Sequence, residues 1–249
     1  MPSDLLVLLT GASRGLGHGI AAHYLGQGAH VLGLSRRAAT DLDAVAAAGG
    51  GRVEQWPADL ESPLPVAGRL SSWLAALPAP PARVRLIHNA ALLGEPGDLA
   101  HADVAETARS LRIGLEAPIA LTAAFLRATA RWDGCDRRVL FVSSGLGRRA
   151  MAGSVAYCAQ KAGLDHAARA LALEEAARPH GARVASVAPG VIDTDMQAQL
   201  RGADFSERDR FVALKRDGGL DTPAQAAAKL VALLERADYG GKPVTDVRE

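Results

Sequence analysis

The sequence is poor in cysteine, in aromatic residues, in net charge and in long hydrophobic runs. Cys135 and Cys158 are the only cysteines among 249 residues, too few for a disulfide framework or a four-thiolate zinc site. Balanced charge, 28 basic against 27 acidic side chains, gives no electrostatic ground to expect nucleic acid or an anionic membrane as partner. The first apolar run, Leu5–Leu9, has strand length and is far too short to span a bilayer. The opening Met1-Pro2-Ser3-Asp4-Leu5 has no basic segment leading into a long apolar one, so a cytoplasmic, reduced protein is expected. Trp56, Trp73 and Trp132 read as packing, and Cys158 as a small buried hydrophobe. His18, His88 and His101 have no ligand spacing, so no metal is expected.

A hydrophobic fraction of 49% suits a folded globular chain, long enough for one α/β domain. Short apolar runs fall at Leu5–Leu9, His30–Leu34, Arg52–Trp56, Val84–His88, Val139–Val142 and Arg183–Ala188. Ala-rich stretches of helical spacing lie between them, among them Gly15–Gln27, Ala102–Ala130 and Ser154–Arg178. Buried strands alternating with helices predict βαβ units, hence a single doubly wound (Rossmann) α/β domain over residues 1–249. The charged stretch 193–219 is expected to form a lid on the substrate side.

After the first run comes Thr10-Gly11-Ala12-Ser13-Arg14-Gly15-Leu16-Gly17. Glycine permits a tight turn and a close backbone approach to a pyrophosphate, which the N–H groups of the following helix then face. The second strand ends in Ser35-Arg36-Arg37, with no carboxylate before Asp41. A carboxylate there would hold the ribose hydroxyls of NAD, whereas guanidinium groups grip a 2′-phosphate. Arg36 and Arg37, with Arg14 from the glycine loop, therefore point to NADP(H) over NAD(H). Asp59-Leu60 after the third strand offers an acceptor for an adenine amino group or a helix cap. Asn89-Ala90-Ala91 after the fourth permits close backbone approach, and the Pro189-Gly190 turn with Ile192 and Thr194 could orient a nicotinamide amide.

Tyr157 and Lys161 lie four apart in helix-forming sequence and share one face. A carbonyl taking up hydride needs a proton donor at its oxygen, and a nearby ammonium is expected to lower the phenol's pKa toward the working pH. Ser144, at the end of the fifth strand, could hold the substrate oxygen, with Ser143 as the competing choice.

Thr10–Gly17, Asp59, Asn89-Ala90, Ser144, Tyr157/Lys161 and Pro189-Gly190 with Thr194 occur together in one order. That set resembles the short-chain dehydrogenase/reductase family in its compact form. Residues 189–196 and 244–248 resemble its sepiapterin reductase and bacterial benzil reductase neighbourhood. The resemblance implies NADPH-dependent hydride transfer to a ketone or vicinal diketone. Tyr157 is then the acid/base, Lys161 lowers its pKa and holds the nicotinamide ribose, and Ser144 positions the carbonyl. It also implies a homodimer or homotetramer. One departure stands out: Gly114 occupies the position of the family's usual catalytic Asn. A water held by backbone carbonyls could take over that role. The alternative reading is a catalytically weak or non-enzymatic NADP(H)-binding sensor protein.

Overall fold

A computed structural model of the chain describes residues 4–249. Met1, Pro2 and Ser3, read above as part of the opening, lie outside the described residues. Seven strands alternate with helices: β1 (Leu5–Thr10), α1 (Gly15–Leu25), β2 (His30–Ser35), α2 (Leu42–Gly49), β3 (Arg52–Pro57), α3 (Pro63–Ala75), β4 (Arg83–His88). There follow α4 (Val104–Leu111), α5 (Ala117–Ala128), β5 (Asp136–Val142), α6 (Val155–Ala176) and β6 (Arg183–Ala188). The chain then runs through α7 (Asp195–Gly202), α8 (Arg208–Arg216), α9 (Pro223–Leu234) and β7 (Val244–Asp246).

All strand pairs are parallel, in the order β3-β2-β1-β4-β5-β6-β7. The order reverses between β1 and β4, opening a crevice at their carboxyl ends, where doubly wound sheets bind ligands. Alternate residues of each strand serve opposite faces. Val7, Leu9 and Val31 pack with Ile20, Tyr24 and Leu230. Leu6, Leu8 and Leu86 pack with Leu70, Leu121 and Phe125. Trp56, Trp73 and Trp132 belong to this second core, with the Trp56 and Trp73 rings meeting edge to face.

Three departures from the sequence reading have local causes. The expected long helix Ala102–Ala130 is divided by a π turn at Arg112–Glu116, where the Ala117 N–H reaches back to Arg112 O. Pro118 has no N–H for the Gly114 carbonyl four residues earlier, so α-helical pairing cannot continue through this point. Second, β5 starts at Asp136 rather than Val139, because Arg137 and Arg138 are buried by hydrogen bonding instead of apolar character. Third, β7 is only three residues long and owes its place to pairing with Ser186–Ala188.

Candidate active site

At the carboxyl edge of the sheet lies a cleft of about 1360 Å³, and every sequence-predicted site residue except Gly17 lines it. Gly11 (φ +70°) and Gly15 (φ +55°) have left-handed backbone conformations that favour glycine. Gly17 is instead a packing residue, since a Cβ there would stand 2.1 Å from the Gly11 carbonyl oxygen. The loop is braced from β4: Asn89 Nδ2 donates to the carbonyls of Thr10 and Gly11 at 3.1 and 3.2 Å. In return Thr10 Oγ1 accepts from the Asn89 and Ala90 N–H groups. Asn89 thus shapes the glycine loop as well as facing the cleft.

Arg36 and Arg37 are exposed at the end of β2, beside a Ser35 hydroxyl that is buried without a partner. Asp41 is turned toward His18, at 2.8 Å. Arg14 is held at 2.6 Å by Asp195, the first residue of α7, so the glycine loop and the helical wall of the cleft are joined by an exposed ion pair. Asp59 accepts from the Glu61 N–H in the turn before α3, whose N-cap is Ser62 rather than Asp59, and it also lines the cleft.

Ser144, Tyr157 and Lys161 converge deeper in the cleft. The two serines are placed differently. Ser143 Oγ donates to buried Asp165 at 2.6 Å, whereas Ser144 Oγ accepts the Leu146 N–H and stands within reach of the Tyr157 hydroxyl. Lys161 is buried, and its Nζ donates to Val142 O at 2.7 Å and lies 5.5 Å from the Tyr157 ring centre. Burial pushes the Tyr157 phenol up to about 12, against the hydrogen bond with Ser144. Burial is the largest influence on the phenol here, because a phenolate enclosed by apolar groups loses its hydration. Burial also lowers Lys161 to about 8, against the charge of Asp165.

Asp165 was not anticipated. Its Oδ1 accepts from Ser143 and Ser186, and its Oδ2 faces Arg148 Nε at 3.5 Å. The available signal was a lone carboxylate four residues after Lys161 on the same helix face. Residues 193–219 form α7 and α8, which pack together over the cleft. Leu200 and Phe211 bury against Leu93, Met151 and Tyr157, with Met196 at the edge. This end of the cleft thus has an apolar wall. His88 is enclosed against Phe141 and Thr122, with burial lowering its pKa to about 3.

The sequence model of the short chain dehydrogenase family matches residues 5–204. The chain belongs to this family of oxidoreductases. A benzil reductase ((S)-benzoin forming) of Bacillus cereus is 32% identical over 237 residues, covering 94% of this chain and 95% of that protein. The sepiapterin reductase of Mus musculus is 35% identical over 246 residues, covering 93% and 92%. A crystal structure from Beutenbergia cavernae, with NADP bound at low occupancy, superposes with a TM-score of 0.81 at 28% identity and covers 98% and 95% of the two chains. The sepiapterin and benzil reductase neighbourhood indicated by the sequence motifs is thus the one in which curated relatives are found. Among the described residues, no helix is long and apolar enough to cross a membrane.

Proposed function

We propose that the chain is an NADPH-dependent carbonyl reductase acting on a small, largely apolar ketone or vicinal diketone, with Tyr157 as general acid. The convergence of Ser144, Tyr157 and Lys161 beneath the apolar wall carries this reading. NADPH, when bound, supplies the hydride. Gly11 to Leu16, Asn89 to Ala91 and Pro189 to Thr194 would hold its pyrophosphate and nicotinamide portions, and Lys161 its ribose. Asp59 and Leu60, which line the same cleft, would face its adenine.

The Ser144 hydroxyl donates to the substrate oxygen and fixes the carbonyl beside the phenol. A Tyr157 with its pKa near 12 retains its proton at neutral pH and delivers it as negative charge develops on that oxygen. The Lys161 ammonium then stabilises the tyrosinate left behind. The protonated phenol is the form that reduction requires. A homodimer or homotetramer belongs to the same reading: Ile119 on α5 and Leu173 on α6 are exposed apolar residues suited to contact with another copy.

The direct test is NADPH consumption with benzil, with NADH in parallel. Turnover of neither benzil nor a panel of diketones, ketones and aldehydes would leave the sensor reading in its place. Arg36→Ala combined with Arg37→Ala is expected to raise KM for NADPH by roughly 10- to 100-fold, the size of charge-assisted hydrogen bonds to a phosphate, and to leave NADH nearly unaffected. Equal losses with both cofactors would contradict the 2′-phosphate assignment.

The lowered pKa of Lys161 predicts a pH dependence. Its ammonium is complete well below pH 8 and is lost as pH rises through about 8. Reduction is therefore expected to be fastest at neutral to mildly acidic pH and to decline on the alkaline side, in a pH series of kcat at saturating substrate. A flat profile to pH 10 would remove Lys161 from the charge-stabilising role.

A further inference from the structure

Gly114, the conspicuous departure in the sequence, is not an empty position. It lies in the π turn between α4 and α5, where a Cβ would stand 1.6 Å from Gln160 Oε1 and 2.4 Å from Gln160 Cδ. Gln160 sits on α6 beside Lys161 and is completely buried. Its Nε2 donates at 2.9 Å to both Leu92 O and Ser110 Oγ, and Ser110 Oγ donates at 2.8 Å to the same Leu92 carbonyl. Leu92 directly follows Asn89-Ala90-Ala91 and itself lines the cleft. One amide therefore ties together the helix carrying Tyr157 and Lys161, the helix entering the π turn, and the loop forming the cofactor edge.

The cost of this arrangement is visible. Gln160 Oε1 is buried with no hydrogen-bond donor, and glycine at residue 114 has no side chain to supply one. Leu or Met would fill the same volume without an orphaned oxygen but could not bridge Leu92 and Ser110. Any residue larger than glycine at 114 would expel the amide.

We propose that Gln160 is a positioning residue for carbonyl reduction, seated in a socket that Gly114 leaves open. It acts through Leu92 and Ser110, setting the distance between the Tyr157–Lys161 turn and the cofactor edge. Gly114 is then half of a matched pair, and its departure from the family pattern is compensated from the neighbouring helix. The inference rests on the reductase reading of the site. Its functional part concerns the bond-making step rather than affinity, because misplacing reacting groups by about 1 Å can cost about 100-fold in rate.

The test uses the full-length chain in four further forms: Gln160→Met, Gln160→Ala, Gly114→Ala, and Gly114→Ala with Gln160→Ala. Gln160→Met retains bulk and removes the amide. It is expected to bind NADPH like wild type in a fluorescence titration and to keep KM for the carbonyl within about threefold, while kcat falls roughly 10- to 100-fold. The pH midpoint of kcat is expected to move from its wild-type value. Gly114→Ala is expected to lower the thermal midpoint, and adding Gln160→Ala to recover part of it, because the clash has gone.

Wild-type kcat and pH profile in Gln160→Met would overturn the positioning role. So would failure of both single Gln160 variants to fold, which would assign the amide to the fold alone. A Gly114→Ala chain as stable as wild type, or no recovery in the double variant, would overturn the matched pair. Wild type that binds NADPH without turning over any carbonyl would instead defeat the reductase reading. The stability comparison would still decide the socket in that case.

Discussion

Tyr157→Phe is expected to bind NADPH as wild type does and to lose carbonyl reduction by roughly 100- to 10,000-fold in kcat, the range associated with a positioned general acid. Only the hydroxyl is removed. The ring remains in the apolar cluster with Leu93, Met151, Leu200 and Phe211, so the fold and the cleft wall are preserved. Ser144 and Lys161 stay in the cleft, but neither takes over the proton transfer. Lys161 Nζ is engaged with the Val142 carbonyl, and Ser144 has too high an intrinsic pKa to act as acid. Stopped-flow measurement of NADPH oxidation, beside an NADPH titration of the same variant, separates chemistry from binding. Retention of more than about a tenth of wild-type kcat would transfer the acid role to another group.

Arg85→Met is expected to destabilise the fold by about 3–5 kcal/mol without touching the active site, the usual result of removing one partner from a buried ion pair. Arg85 is fully buried in β4 at the end of the sheet opposite the cleft. Its Nε and Nη2 reach both oxygens of Glu235 at 2.8 and 2.7 Å, and Nη2 also reaches Asp136 Oδ2 at 2.9 Å. Nη1 donates to the carbonyls of Val84 and Asp136. Among the described residues, the substitution leaves Glu235 with Tyr24 as its hydrogen-bonding partner, while Asp136 keeps Arg138 and Arg183. Denaturant or thermal unfolding reads the loss, and adding Glu235→Leu is expected to restore part of it. A midpoint unchanged by Arg85→Met would show that this network contributes no net stability.

The same network sets an acid limit on the fold. Burial pushes both carboxyls up, but the surrounding guanidinium groups outweigh it, holding Asp136 down at about 2 and Glu235 below the ordinary carboxylate range. Groups with depressed folded-state pKa values contribute stability above their unfolded pKa, and that contribution disappears as pH falls through the folded value. The Arg85 network therefore weakens only in strong acid, well below the pH range of the reduction.

Strand and helix alternation, glycine spacing and the Tyr157/Lys161 repeat are local patterns, and each was legible in the residues themselves. The βαβ order followed from runs of buried aliphatic residues, since a strand covered on both faces must be apolar along its length. That logic fails where charge is buried by pairing, as at Arg137 and Arg138, and so the start of β5 was missed. It also fails at β7, whose three residues carry too little period to mark a strand.

By itself the sequence determined the fold class and the family, and it named the residues that come to line the cleft, because these depend on residue type and short-range spacing. Only the tertiary structure separated Ser143 from Ser144, since the choice depends on which hydroxyl meets Asp165 twenty-two residues away. Only it showed burial raising the Tyr157 pKa, because desolvation depends on how tightly other segments enclose the ring. And only it explained Gly114, whose missing side chain is replaced by an amide 46 residues later in the chain. In each case the deciding quantity is a distance between residues remote in sequence, which no local pattern encodes.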